Sequence, residues 1–146
     1  MILNIHKPVG WTSFDVVKKI RSITREKKVG HGGTLDPFAE GVLIIGTGKD
    51  TKRLNGITHS DKSYTAVLSL GTGTDTLDTE GNVTVQKQVP ALTVEKIESV
   101  LHSFLGKTMQ MPPMFSAKKI NGTRLYKLAR KNIEIDRKPV EIHIRD

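Results

Sequence analysis

Between Val29 and Gly46 the chain reads VGHGGTLDPFAEGVLIIG, with one acid, Asp36, set between a glycine pair and a proline. Gly32 and Gly33 allow positive φ and close approach of another molecule, and Pro37 drives Asp36 toward extended backbone. Such a loop presents a carboxylate outward from a rigid base. A carboxylate of ordinary pKa, about 3.9, is ionised at neutral pH and needs no general base to become a nucleophile. The same residues also suit a turn in which Asp36 merely accepts bonds from nearby backbone N–H groups. His31 in the same loop and the apolar run immediately behind it favour function, because functional loops are commonly held by a buried strand.

Other chemistries fit less well. Gly41 and Gly46 have the spacing of a phosphate-binding loop, but Thr47 and Gly48 stand where Lys and Ser or Thr are required. Asp75, Asp78 and Glu80 miss the calcium-loop pattern and read as a solvated acidic turn. The five histidines include no pair at helical ligand spacing, so no metal is expected. Without cysteine, disulfides, thiol nucleophiles and thiolate metal sites are excluded together.

The elements that must hold the loop follow from hydrophobic periodicity. Ile2 to Ile5 and Val42 to Ile45 read as strands. Ser13 is placed to cap a helix with Val16, Val17, Ile20 and Ile23 on one face and Lys18, Lys19, Arg21 and Arg25 mostly elsewhere. Ser63 to Leu70 alternates, with Tyr64, Ala66, Leu68 and Leu70 on one face, and reads as a strand partnered by Asn82 to Val89 across a polar turn, Gly71 to Gly81. Thr93 opens a helix carrying Val94, Ile97, Leu101 and Phe104, with Gly106 to close it. Pro112 and Pro113 impose irregular backbone, Asn121-Gly122 suits a tight turn, and Thr123 starts a short basic helix. Val140, Ile142 and Ile144 alternate as a final strand. Strands and short helices without regular strand–helix–strand alternation predict an α+β domain, its sheet mixed but mostly antiparallel and flanked by short helices.

At 146 residues the chain suits one domain with a real core, and it shows no linker or repeat. Its net charge of +8 favours a polyanionic partner. The N-terminal apolar run is too short for a signal peptide and no run has transmembrane length, so a cytoplasmic location and no membrane partner are expected. One basic cluster comprises Lys18, Lys19, Arg21, Arg25, Lys27 and Lys28; a second comprises Lys118, Lys119, Arg124, Lys127, Arg130 and Lys131. Each suits RNA phosphates and equally an ordinary solvated face.

Four segments in register carry a resemblance. GHGGTLDPFAEGVL resembles the central motif of the tRNA pseudouridine-55 synthase family, the TruB type, whose relatives include catalytic subunits of RNA-guided pseudouridylation complexes. Lys7 to Ser13, KPVGWTS, resembles its KPxGxTS motif. Lys62-Ser63-Tyr64, with Leu70-Gly71 and Asp75-Thr76, is similar to its tyrosine strand and following turn. MPPMFSAKKINGTRLYKLAR, Met111 to Arg130, resembles the segment that precedes and forms the mobile thumb over the RNA.

The resemblance implies an isomerase that forms pseudouridine at position 55, in the T-loop of tRNA, with no cofactor. Asp36 would be catalytic, Tyr64 would stack on the flipped base, and His31 would fill the space it leaves. Lys7, Gly32 and Gly33 would complete the substrate contacts. Lys18, Lys19, Lys27, Lys28, Lys118, Lys119, Arg124 and Arg130 would meet the RNA backbone of the T-arm stem-loop. Family members continue into a GTYIR-like segment, whose arginine pairs with the aspartate, and usually a small RNA-binding domain. Residues 1–146 are therefore expected to be the N-terminal portion of the catalytic domain, the remainder of the same protein being a possible partner. The alternative is a basic RNA-binding fragment without chemistry.

Overall fold

The computed structural model describes residues 1–116, 118–120, 122–131 and 133–146. It divides into two compact units, Met1–Thr65 and Ala66–Asp146.

The first unit is a three-stranded antiparallel sheet with one helix packed on it. Strand β1 (Ile2–Lys7) and β2 (Val29–His31) flank the central β3 (Gly41–Thr47), giving the order β1-β3-β2. The register pairs Lys7 with Gly41 and His31 with Ile45. Side chains alternate along a strand, so Leu3, Ile5 and Lys7 share one face of β1. Helix α1 (Ser13–Thr24) lays Val16, Val17 and Ile20 against that sheet, and Val29, Leu43 and Ile45 complete the core. Burying each such aliphatic side chain contributes about 1.5–3 kcal/mol. After β3 the chain passes through a 3-10 turn, Gly48–Arg53, into the short helix α2 (Leu54–Thr58).

Two details of α1 differ from expectation. Thr12, not Ser13, caps the helix, in a reciprocal box with Asp15, because the Ser13 hydroxyl is drawn to Leu35 instead. Ile23 is exposed, its side chain lying at the margin of the face that Val16, Val17 and Ile20 bury.

The second unit contains short antiparallel ribbons. Strands β4 (Thr72–Thr74) and β5 (Val83–Gln86) pair around an acidic turn in which Asp75 accepts from both N–H groups of Asn82. Helix α3 (Val94–His102), capped by Thr93, ends before Gly106, which opens β6 (Gly106–Gln110) rather than closing the helix. The final strand β9 (Val140–Ile144) pairs with β6. A small hairpin, β7 (Lys119–Ile120) with β8 (Thr123–Arg124), leads into α4 (Leu125–Ala129). The basic helix thus begins two residues after Thr123. Gly122 sits in the turn at φ 80; Asn121, its predicted partner there, lies outside the described residues.

The α+β class holds, but among the described residues the strands form four small antiparallel sheets rather than one. The strand expected over Ser63 to Leu70 does not form: residues 61–69 lack regular structure and are exposed. Alternation supplies an apolar face, but a strand also needs a ladder partner. Among the described residues β5 pairs with β4, and no strand pairs with Ser63 to Leu70. No described helix is long and apolar enough to cross a membrane.

Candidate active site

Asp36 is exposed in the loop that joins β2 to β3, and the backbone on either side of it is tied down. At the loop's entry the Gly32 N–H donates to the Ile44 carbonyl (2.8 Å), and the His31 Nδ1–H donates to the Gly33 carbonyl. A carbonyl only accepts, so this bond puts a hydrogen on Nδ1. Gly33 takes a φ of 122, a conformation that side chains resist. Leu35, one residue before the acid, both donates to the Ser13 hydroxyl (2.9 Å) and accepts from it (3.1 Å). Pro37, one residue after, accepts from the Gly10 N–H (2.7 Å). A turn closed by Ala39 N–H donating to the Asp36 carbonyl (3.1 Å) completes the clamp.

Lys7 holds the same arrangement from inside. Its side chain is completely buried, and the ammonium donates to the carbonyls of Trp11 (2.6 Å), Pro8 (3.0 Å) and, at longer range, Pro37 (3.5 Å). A buried ammonium is costly unless its hydrogens find acceptors, and these three carbonyls supply one for each. The alternation of Lys7 with Leu3 and Ile5 turns it inward, where it positions the loop.

Leu54 is a contributor that sequence reasoning missed. A Cβ at Gly30, Gly32 or Gly46 would stand 3.4, 3.3 or 3.0 Å from its side chain, so the leucine fills a hollow that only glycines leave. The Gly32 position in particular serves packing behind the loop. LNGIT is too short for a helical period to show, but Gly30 in β2 and Gly32 just past its end, two residues apart, both face Leu54 and mark the hollow.

The remaining candidates are more dispersed. Tyr64 is 72% exposed, on the irregular stretch at the end of the first unit. Lys18, Lys19, Lys27 and Lys28 are exposed on α1 and the turn after it. In the second unit Lys118 and Arg130 are exposed, Arg124 is half-buried, and the Arg130 guanidinium lies 5.6 Å from the Tyr126 ring centre. The Lys119 side chain lies outside what is described.

A loop so arranged holds the Asp36 carboxylate exposed on a tied-down backbone. The sequence from residue 21 to 146 matches the family model described as TruB family pseudouridylate synthase (N terminal domain). The chain belongs to the TruB family.

Among TruB relatives, the tRNA pseudouridine synthase B of Clostridium acetobutylicum is 50% identical over 143 residues, 98% of this chain and 49% of that protein. That of Clostridium kluyveri is 52% identical over 143 residues, again 98% of this chain and 49% of the relative. A chain in the crystal structure of a Cbf5-Nop10-Gar1 complex matches with a TM-score of 0.54 and 30% identity, over 81% of this chain and 30% of that one. The chain thus spans about half the length of the curated relatives it matches. The KPVGWTS segment, outside the stretch matched by the TruB model, lies inside the similarity to both clostridial proteins if their 98% coverage is to be reached, and it supplies the anchors of the Asp36 loop.

Proposed function

We propose that this chain carries the reactive aspartate of an enzyme that converts uridine to pseudouridine in RNA, at position 55 in the T-loop of tRNA. In this reading residues 1–146 form the N-terminal portion of the catalytic domain and act on the T-arm stem-loop in the cytoplasm. The observation that carries it is the clamp on Asp36: backbone anchored at Leu35 and Pro37, with the carboxylate between them exposed. The reaction breaks the bond from ribose C1′ to uracil N1, turns the base, and joins C1′ to C5. The C5 hydrogen leaves as a proton and N1 gains one, so no oxidant or group donor is consumed.

Asp36 is the anionic group that begins this sequence, as nucleophile or as base. The target uridine must first leave its stack, at a cost of about a few kcal/mol. Stacking on Tyr64 and insertion of His31 into the vacated space would offset that cost, and the exposed lysines of α1 and the turn after it would hold phosphates. A net charge of +8 supports such a partner.

The test is tritium release from RNA labelled at uracil C5, using this chain joined to the C-terminal half of the Clostridium acetobutylicum relative. Asp36→Asn preserves shape but removes the charge, so release should fall at least about a thousandfold while RNA affinity changes less than about tenfold. Turnover by the Asn variant at more than a few per cent of the parent rate would remove Asp36 from the reaction.

A further inference from the structure

The first unit has an aliphatic core: Val16, Val17, Val29, Leu43 and Ile45, with Leu3, Ile5 and Ile20 packed against it. Its four aromatic residues, Trp11, Phe14, Phe38 and Tyr64, are all on the surface. Three of them gather at the Asp36 loop. Trp11 is 39% exposed, and its carbonyl shares the Lys7 ammonium with that of Pro37; Phe38, 41% exposed, is the next residue along. Phe14, 52% exposed, follows Ser13, whose hydroxyl holds Leu35. Leaving such rings in water forgoes the large burial gain that aromatics offer a core.

The helix continues the same surface with positive charge. Phe14 and Lys18 fall on one stripe of α1 at helical spacing, about 120° round from the face that packs on the sheet, and the exposed Arg25 caps the helix's C-terminal end. The Lys18 ammonium already lies 5.1 Å from the Phe14 ring centre. Flat apolar rings beside exposed cations match one ligand chemistry well: unpaired nucleotides, whose bases stack and whose phosphates need countercharge.

We propose that Trp11 and Phe14, with Phe38 adjoining, form a stacking platform for unpaired RNA bases beside the Asp36 loop, continued by phosphate contacts to Lys18 on α1 and to Arg25 at its C-cap. This deepens the functional reading above and rests on it for the identity of the polymer as RNA. It adds a site for nucleotides that neighbour the reacting one, separate from Asp36, His31 and Tyr64.

Trp11 is the chain's one tryptophan, so its fluorescence reports on the platform directly. The 146-residue chain is titrated with a short unstructured oligoadenosine, a blunt RNA duplex and inorganic polyphosphate. Oligoadenosine should quench Trp11 saturably, whereas duplex and polyphosphate should bind with little quenching. Phe14→Leu should weaken oligoadenosine binding roughly 5- to 150-fold, the span given by one to three kcal/mol of stacking, and leave polyphosphate binding within about twofold. Phe14→Tyr, which keeps the ring, should restore it. Phe14 is half in solvent, so these variants test the platform even if Trp11→Leu does not fold. Equal quenching by polyphosphate, or equal oligoadenosine affinity of Phe14→Leu and the parent, would overturn the proposal. Indifference of Trp11 to every RNA would do the same and assign these rings to a protein contact. Asp36-dependent tritium release without Trp11 quenching would sink the platform alone; quenching without such release would sink the functional reading alone.

Discussion

The two units spend their apolar residues differently. In Met1–Thr65 the periodic residues of α1, β1 and β3 converge on one core, and Ile45 is wholly buried. In Ala66–Asp146, Leu125 is the one large apolar side chain buried among the described residues, while Val94, Ile97, Val100 and Leu101 of α3 remain exposed. Amphipathic patterning is as clear in α3 as in α1, yet among the described residues α1 lays its apolar face on a sheet and α3 leaves its own exposed. A periodic sequence therefore specifies which face wants burial; what covers it is decided by other residues. The Asp36 loop belongs to the unit that has solved this problem, and a carboxylate that must stay in place needs such a base.

The sharpest way to break the contrast is to truncate a core side chain. Ile45→Ala should destabilise the first unit by about 2–5 kcal/mol through lost burial and the cavity left behind. Hydrogen exchange, read amide by amide, should show the loss in β1, β3 and α1. Uniform loss through β6 and β9 as well would mean that the two units unfold as one.

Lys7→Met tests the clamp. The substitution leaves the Trp11 and Pro8 carbonyls without their donor, which should cost about 2–4 kcal/mol. Exchange at Gly10 N–H, bonded to Pro37, should accelerate most. If that amide stays as protected as in the parent, Lys7 does not hold the loop.

A smaller effect comes from the cap. Thr12→Ala should destabilise α1 by about 1 kcal/mol. The Thr12 hydroxyl, followed by the Lys18 ammonium, holds the Asp15 carboxyl below the usual carboxylate range. A depressed folded-state pKa gives stability that is present above the unfolded value and lost as pH falls through the folded one. The gap between parent and Thr12→Ala in thermal unfolding should therefore narrow on acidification from neutral pH. A gap that widens would place the Asp15 contact in the wrong charge state.

The smallest effect sharpens the comparison. Leu101→Ser, on the exposed face of α3, should change stability by less than about 0.5 kcal/mol in this chain. A loss comparable to that of Ile45→Ala would show that α3 has a partner after all, and light scattering would tell whether it is a second copy.

Much of the first unit was legible because its signals are local. The β1, α1 and β3 periods lie in short windows, and the acid–proline pair with its glycines marks the loop. The inward turn of Lys7 was equally present in the alternation from Leu3 to Ile5 to Lys7, but a lysine is ordinarily read as exposed. Leu54 was hidden for another reason: its role exists only once Gly30, Gly32 and Gly46 are brought together by strand pairing. In the second unit, β4 and β6 were missed because three- and five-residue strands rich in Gly, Thr and Lys carry little β signal. The stretch from Ser63 to Leu70 failed in the opposite sense, its pattern strong and its ladder partner lacking.

The clamp on Asp36 has one more consequence. Apart from the His31 ring on the Gly33 carbonyl, every anchor on the loop's side is main chain: the N–H of Gly32, the N–H and carbonyl of Leu35, the carbonyl of Pro37. The gripping side chains, Lys7 and Ser13, all come from the other segment. Thr34, Leu35, Phe38 and Ala39 can therefore be exchanged in a library without releasing the hold, as long as the backbone path at Gly33 and Pro37 is kept. The loop is a cassette, in which the words around the aspartate can be rewritten for a new ligand while the aspartate itself stays where it is.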